Sequence, residues 1–158
     1  MGQAFLRSAQ LFAGRFIPER WLNLPGMQKL YGNATPGVSP DLCEPGECKL
    51  STCDIAMTDP TAGERMLQYL SDTIRPDDFE RIAIEGFNVV RLPLGYWNVL
   101  DVEAAPDAPT HDAARWLALQ RMLPASSYTP HIQRTLRYAE QHGLRVLLDL
   151  HGAPGGRE

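Results

Sequence analysis

The sequence lacks the features that mark several classes of protein. None of its apolar runs approaches the roughly 18 residues needed to cross a membrane, and the opening MGQAFLRSAQLFAGRF has no unbroken apolar core of a signal peptide. A basic excess is also missing, because 15 Lys and Arg residues stand against 19 Asp and Glu residues, for a net charge of -4. These absences argue against a membrane span and against nucleic acid as a partner, and they favour a neutral or small-molecule ligand.

Cysteine is scarce, and its three residues fall in one segment, DLCEPGECKLSTC. Cys43, Cys48 and Cys53 are evenly spaced, whereas a structural zinc site needs four ligands, usually in CxxC-type pairs, and no nearby His supplies the fourth. We therefore assign no metal ligands. A zinc knuckle, one local disulfide with a spare thiol and three ordinary loop thiols all remain open, and so does the redox compartment.

The middle of the chain has the pattern of a helix followed by a buried strand. After a predicted helix from Ala62 to Asp72, Pro76 stands at the first turn of a second helix, and Gly86 is placed to end it. The next segment, FNVVRLPL at 87–94, is apolar and β-branched, which is typical of a strand buried on both faces.

The same order recurs near the end of the sequence. Thr129 and Pro130 predict a helix start, Gly143 predicts its end, and LRVLLDL at 144–150 predicts a second buried strand. Strand, helix and strand at this spacing form a right-handed βαβ crossover, so we expect parallel strands in an α/β sheet.

Two segments are predicted as insertions. Residues 32–61 are dense in Gly, Pro, Ser, Thr and Cys, which indicates a long surface excursion. Residues 98–127 separate the two helix–strand patterns and contain a predicted helix from His111 to Met122.

Polar residues fall near the ends of both predicted strands. Arg91 interrupts the first strand, and Asp149 and His151 share one face of the second. The C-terminal ends of parallel strands hold the active sites of α/β folds, so these residues are candidates for chemistry. A buried guanidinium needs a carboxylate, and the strand at 87–94 contains none, so we expect the partner of Arg91 to come from elsewhere. Asp149 could instead accept hydrogen bonds from the Gly-rich turn after it, and the role of His151 stays open.

Two motifs carry a family resemblance. GFNVVRLPLGYW at 86–97, followed by HGLRVLLDLHGAPGG at 142–156, resembles glycoside hydrolase family 5, in its exo-β-1,3-glucanase-like branch. GRFIPERW at 14–21 and DTIRPDDFERIAIEGFN at 72–88 are similar to segments of the same branch, whereas RSAQLFAG at 7–14 lacks the Asn and early Gly of its first strand.

The resemblance implies a fold that is α/β. It makes residues 1–158 one partial catalytic domain, the N-terminal part of an incomplete (β/α)8 TIM barrel, with about three βα units. The strands are expected at about 7–17, 87–94 and 144–151, with the insertions at 32–61 and 98–127. The third strand would then present an unpaired edge, so we expect edge-mediated self-association.

The resemblance also implies roles for single residues. Glu19 would bind sugar hydroxyls with Trp21 as an aromatic neighbour, Arg91 would hydrogen-bond the nucleophilic carboxylate, and His151 would hydrogen-bond the substrate. Asp149 is a further candidate. Tyr96 and Trp97 follow the second strand, where either packing under the loop or sugar stacking would explain them.

The implied activity is retaining hydrolysis of O-glycosyl bonds in β-glucan, as by a glucan exo-1,3-β-glucosidase. Its two glutamates lie on later strands, the fourth and the seventh, so we expect no catalytic residue in these 158 residues and no activity of this chain alone. A non-catalytic carbohydrate-binding remnant is the alternative. Carboxylate chemistry requires neither a metal nor an organic cofactor, and relatives in the family are usually secreted or associated with the cell wall.

Overall fold

The computed structural model describes residues 8–9, 16, 43–44, 47–48, 52–101 and 117–152. Five strands and four helices are defined in these ranges. They are β1 (Ser8–Ala9), β2 (Cys43–Glu44), β3 (Glu47–Cys48), α1 (Thr52–Thr58), α2 (Ala62–Thr73), α3 (Pro76–Ile84), β4 (Val89–Gly95), α4 (Ala125–Gln141) and β5 (Arg145–Gly152). Residues 117–122 are helical as well, and no helix in the described ranges is long and apolar enough to span a membrane.

The two helices before β4 match the sequence expectation closely. Helix α2 begins one residue after Thr61, whose amide donates to Oδ1 of the buried Asp59 at 2.8 Å. Helix α3 has Pro76 in its first turn with two acidic residues beside it, where the helix dipole favours carboxylates. Gly86 follows with φ 81°, a left-handed conformation that glycine adopts without a steric cost. The predicted end of this helix is therefore confirmed.

The main sheet is parallel, with the strand order β1, β4, β5. Strand β4 lies in the middle, pairing with Ser8 and Ala9 on one side and with β5 on the other. Chain order and strand order agree, as expected when each new strand is added beside the last after a helical crossover. The predicted parallel relation of the two long strands is confirmed.

Helix α4 begins earlier than predicted. Thr129 and Pro130 were expected at its start, but the helix begins at Ala125 and contains Pro130 in its interior. The early start has a long-range cause, because Oδ1 of Asp101 accepts a hydrogen bond from the amide of Ala125 at 2.8 Å. A carboxylate at the positive end of a helix stabilises it, and here it satisfies an amide that the helix leaves without an internal partner.

The segment at 32–61 is not wholly a surface excursion. It contains α1, whose Ile55 is fully buried in the common core, and Thr52 and Asp59 are buried with it. It also contains the short antiparallel pair β2 and β3, in which Cys43 and Cys48 occupy opposed positions. The prediction missed these elements because Gly and Pro are frequent in the segment, while α1 packs against the core through Ile55 and Ala56.

The core lies between the helices and one face of β4. Val90, Leu92 and Leu94 alternate along that face, and all three are buried, as are Phe79 and Ile82 of α3. Strand β5 behaves differently. Leu147, Leu148 and Leu150 are 57%, 56% and 61% exposed, so the prediction of a second strand buried on both faces is wrong for this chain. The apolar sequence of β5 is typical of a buried strand. In the described residues, however, no element covers the side chains of Leu147, Leu148 and Leu150.

Candidate active site on one face of β4 and β5

Three polar side chains meet on one face of the sheet. The register pairs Arg91 with Leu147 and Pro93 with Asp149, so Arg91 and Asp149 lie on the same face one step apart diagonally. His151 follows at a register shift, where Leu150 pairs with Leu94 and Gly152 with Gly95, and its Nδ1 lies 3.1 Å from Oδ2 of Asp149. The sequence brings them together by placing polar residues at alternate positions of otherwise apolar strands.

The contacts within this cluster converge on one carboxylate oxygen. Arg91 donates to Oδ2 of Asp149 from both Nε, at 3.0 Å, and Nη2, at 2.5 Å. Nδ1 of His151 lies 3.1 Å from the same Oδ2 and 3.0 Å from Nη2 of Arg91. All three side chains retain some solvent exposure, from 27% for Asp149 to 44% for His151. The cluster thus projects from the face of the sheet, and its solvent-exposed side is accessible to a ligand or to another segment of polypeptide.

Asp149 is the carboxylate partner of Arg91. We expected this partner to come from elsewhere than the strand at 87–94, because that strand contains no acidic residue. Asp149 supplies that partner from the neighbouring strand, 58 residues along the chain. The same contact gives Asp149 a defined role that differs from capping the Gly-rich turn. The sequence did not identify Asp149 as this partner, because the register between two parallel strands determines which side chains meet.

Tyr96 and Trp97 follow directly after β4, and Trp97 lies against Gly152, the residue after His151. Both rings are buried, and they pack edge to face with centroids 5.1 Å apart. The indole lies against Gly95 and Gly152, and a Cβ added at Gly152 would come within 2.7 Å of Cη2 and Cζ3 of Trp97. An indole enclosed in this way has no face available for a sugar ring. The geometry supports packing under the loop for both residues.

Asn98 is a residue that the sequence analysis missed. Its side chain is fully buried, and its Oδ1 accepts a hydrogen bond from the amide of Gly95 at 2.8 Å. This bond closes the short 3₁₀ turn at Tyr96–Asn98 and so fixes the path of the chain as it leaves β4. The spacing of Gly and Asn three residues apart at a strand end was the available signal.

Glu19 and Trp21, the two other sugar-binding candidates, lie outside the described residues. Within the described ranges no group of three His, Cys, Asp or Glu side chains is arranged to hold a metal ion. The chemistry of the cluster is that of a polar binding site. A guanidinium can donate to carboxylate or hydroxyl oxygens, and an imidazole can donate or accept one hydrogen bond at each ring nitrogen.

Comparison with known proteins gives the cluster a context. No protein-family model matches the sequence. Among curated proteins, it is 36% identical over 90 residues, 57% of this chain, to a probable glucan 1,3-beta-glucosidase A of Aspergillus fumigatus. It is 34% identical over 107 residues, 66% of this chain, to glucan 1,3-beta-glucosidase 1 of Schizosaccharomyces pombe. The sporulation-specific glucan 1,3-beta-glucosidase of Saccharomyces cerevisiae is 30% identical over 96 residues.

The match covers a small part of these relatives. It spans 18% of the Aspergillus fumigatus protein and 21% of the Schizosaccharomyces pombe protein. The chain is therefore similar to about one fifth of a glucan 1,3-beta-glucosidase. All three of these relatives carry the name of a glycosidase that acts on glucan.

Proposed function

We propose that this chain forms the sugar-binding N-terminal part of a retaining glycosidase that acts on β-1,3-glucan, of the glycoside hydrolase family 5 type. The observation that carries the proposal is the cluster of Arg91, Asp149 and His151 on two adjacent parallel strands, with Asp149 and His151 in the C-terminal half of β5. The likeness to several glucan 1,3-beta-glucosidases supports it independently.

The fold that we propose is the first part of a (β/α)8 barrel. The parallel order β1, β4, β5 with helices between the strands is the order in which such a barrel is built. Active sites of these barrels lie where the strands end, and His151 lies near the C-terminal end of β5. In this arrangement the face that bears Arg91 and Asp149 would point into the barrel.

The role proposed for Arg91 is to hold the nucleophilic carboxylate in its ionised form. Its Nε and Nη2 donate to Asp149. A guanidinium has five N–H donors, so Arg91 keeps further N–H groups that can donate to the nucleophilic carboxylate. A retaining glycosidase needs two carboxyl groups about 5 to 5.5 Å apart, one as nucleophile and one as acid and then base. We place both on strands that follow β5, and Glu19, Trp21 and His151 would contact the sugar.

Ligand binding by the 158-residue chain tests the binding part of this proposal. Laminaribiose, a β-1,3-linked disaccharide, would be titrated into the chain while its amide resonances are followed by NMR. We expect perturbations near β4 and β5 that Arg91→Gln weakens at least about tenfold, the effect of losing a charged hydrogen-bond donor. Arg145→Gln is the matched control, because Arg145 is exposed at the opposite end of β5.

The catalytic part of the proposal has a separate test. Incubation of the purified chain with laminarin should release no glucose above a heat-killed control, because the glutamate pair is proposed to lie on other strands. Glucose release would overturn that assignment. Sequencing the transcript beyond the codon for Glu158 distinguishes enzyme from binding remnant. An in-frame Asn-Glu pair at the end of a later strand supports the enzyme, and a stop codon supports a non-catalytic carbohydrate-binding protein.

A further inference from the structure

The cluster contains a geometric conflict that decides where its protons lie. Nη2 of Arg91, Oδ2 of Asp149 and Nδ1 of His151 form a triangle with sides of 2.5, 3.0 and 3.1 Å. A triangle of nearly equal sides has acute corners. The directions from Nη2 to the carboxylate oxygen and to the imidazole nitrogen therefore differ by an acute angle. The two hydrogens of a guanidinium nitrogen diverge widely in the guanidinium plane, so Nη2 can donate well to one of these partners but not to both.

The shortest side of the triangle identifies the preferred partner. Nη2 lies 2.5 Å from Oδ2, and Nε donates to the same oxygen, so two donors on one side of the guanidinium converge on Asp149. The hydrogen of Nη2 on that side is committed to the carboxylate. His151 is then left 3.1 Å from an anionic oxygen, where a ring nitrogen without a hydrogen would set a lone pair against a negative charge.

We infer that Asp149 is a positioning residue that holds His151 in the Nδ1–H tautomer and at the same time fixes the plane of the Arg91 guanidinium. Nδ1 of His151 donates to Oδ2 of Asp149, and Nε2 is therefore a hydrogen-bond acceptor. This inference rests on the proposed function for its ligand, since it gives the direction of the bond to substrate. A sugar hydroxyl would donate to His151 and accept from Arg91.

The molecule contains an internal control for this inference. His131 on α4 also has its Nδ1 near an arginine, at 3.1 Å from Nη2 of Arg134, and that Nη2 donates to the carbonyl of Leu70 as well. The described contacts of this Nδ1 include no carboxylate. Nδ1 of His131 therefore accepts from Arg134, and its proton lies on Nε2. The two histidines should show opposite tautomers in one sample.

Nitrogen NMR measures the tautomers directly. The chain has four histidines, so selective ¹⁵N-histidine labelling gives few signals, and magic-angle spinning tolerates self-associated material. Single replacements of His131 and His151 by Gln assign the signals. At pH 8 we expect His151 to be protonated at Nδ1 and His131 at Nε2. A wild-type His151 that is protonated at Nε2 would overturn the inference without any substitution having been made.

The Asp149→Ala variant tests whether Asp149 is the cause. Without the carboxylate, Nδ1 of His151 still faces Nη2 of Arg91 at 3.0 Å, and a guanidinium nitrogen can only donate, so the tautomer ratio should reverse by at least about tenfold. His131 should not change. An unaltered His151 tautomer would show that Asp149 does not set it. A fold defect alone would broaden both histidines, so this readout separates positioning from general support.

Laminaribiose addition separates failure of the inference from failure of the proposed function. A shift of the Nε2 signal of His151 on addition of the sugar supports both. Sugar binding with His151 protonated at Nε2 contradicts the tautomer assignment alone. An Nδ1–H tautomer with no response to the sugar, in any resonance, contradicts the sugar-binding function alone.

Discussion

Strands β4 and β5 are neighbours in one sheet, yet their apolar faces differ in solvent exposure. Leu92 and Leu148 are register partners on the same face, and Leu92 is fully buried while Leu148 is 56% exposed. Helices α2, α3 and α4 pack together, and the core that they form encloses the β4 side of this face. The difference shows that an apolar strand sequence reports what the strand is suited to contact, and that the surrounding elements determine its burial.

The largest expected effect comes from truncating the buried member of this register pair. Leu92→Ala should lower the free energy of unfolding by about 2–5 kcal/mol, because it removes buried methyl groups and leaves a cavity. Leu148→Ala is the matched control and should change it by less than about 0.5 kcal/mol. Urea unfolding followed by circular dichroism measures both. Equal losses for the two variants would mean that β5 is buried in solution.

The next effect concerns the contact between the end of β5 and the buried Trp97. Gly152→Ala would push a Cβ into the indole of Trp97, and overpacking of this kind costs about 1–3 kcal/mol. The double variant Gly152→Ala/Trp97→Phe should lose less than the sum of the two single variants, because the smaller ring leaves room for the methyl group. Strict additivity in urea unfolding would show that Gly152 and Trp97 do not touch.

The exposed face of β5 offers the third prediction. In the described residues β5 pairs on one side, with β4, and an open apolar edge favours pairing with another chain. Replacing Leu148 by Lys and Leu150 by Glu should weaken self-association at least about tenfold, equivalent to about 1.4 kcal/mol. Sedimentation velocity over a concentration series measures this. A wild-type chain that sediments as a monomer at every concentration would remove the basis for the prediction.

The same comparison explains which parts of the molecule were accessible from the sequence. Helices α2 and α3 and the turn at Gly86 follow from local signals, namely an apolar stripe, a proline in the first turn and a glycine at the end. The start of α4 was missed because its cap, Asp101, is 24 residues away. The partner of Arg91 was missed for the same reason, since Asp149 is remote in sequence and adjacent only through strand register.

The site was therefore predicted as a set of residues but not as a set of contacts. Polar residues were expected near the ends of both strands. The structure brings Arg91, Asp149 and His151 together, although Arg91 lies in the first half of β4. The exposure of β5 could not be predicted, because burial of its outer face depends on elements that are not among the described residues. Tyr96 and Trp97 left two readings open, and packing against Gly95 and Gly152 favours one of them.

The smallest effect is a pH dependence of stability, which should be confined to the helices that pack on β4. Burial and, to a smaller degree, the nearby Arg134 lower the pKa of His131 below its usual value. Such a group binds its proton more readily in the unfolded chain, so stability is fully present above the unfolded pKa of about 6.5 and is lost as the pH falls towards the folded value.

His131→Gln should flatten this decline between pH 7 and pH 5, whereas Gln133→Ala, an exposed and uncharged position on the same helix, should leave it unchanged. Arg134 donates to the carbonyl of Leu70, so protonation of His131 would disturb the link between α4 and α2. Hydrogen exchange at pH 5 should therefore accelerate in α2 and α4 while β5, already exposed, changes little. Equal acceleration in β5 would mean that β5 unfolds together with α2 and α4 as one cooperative unit.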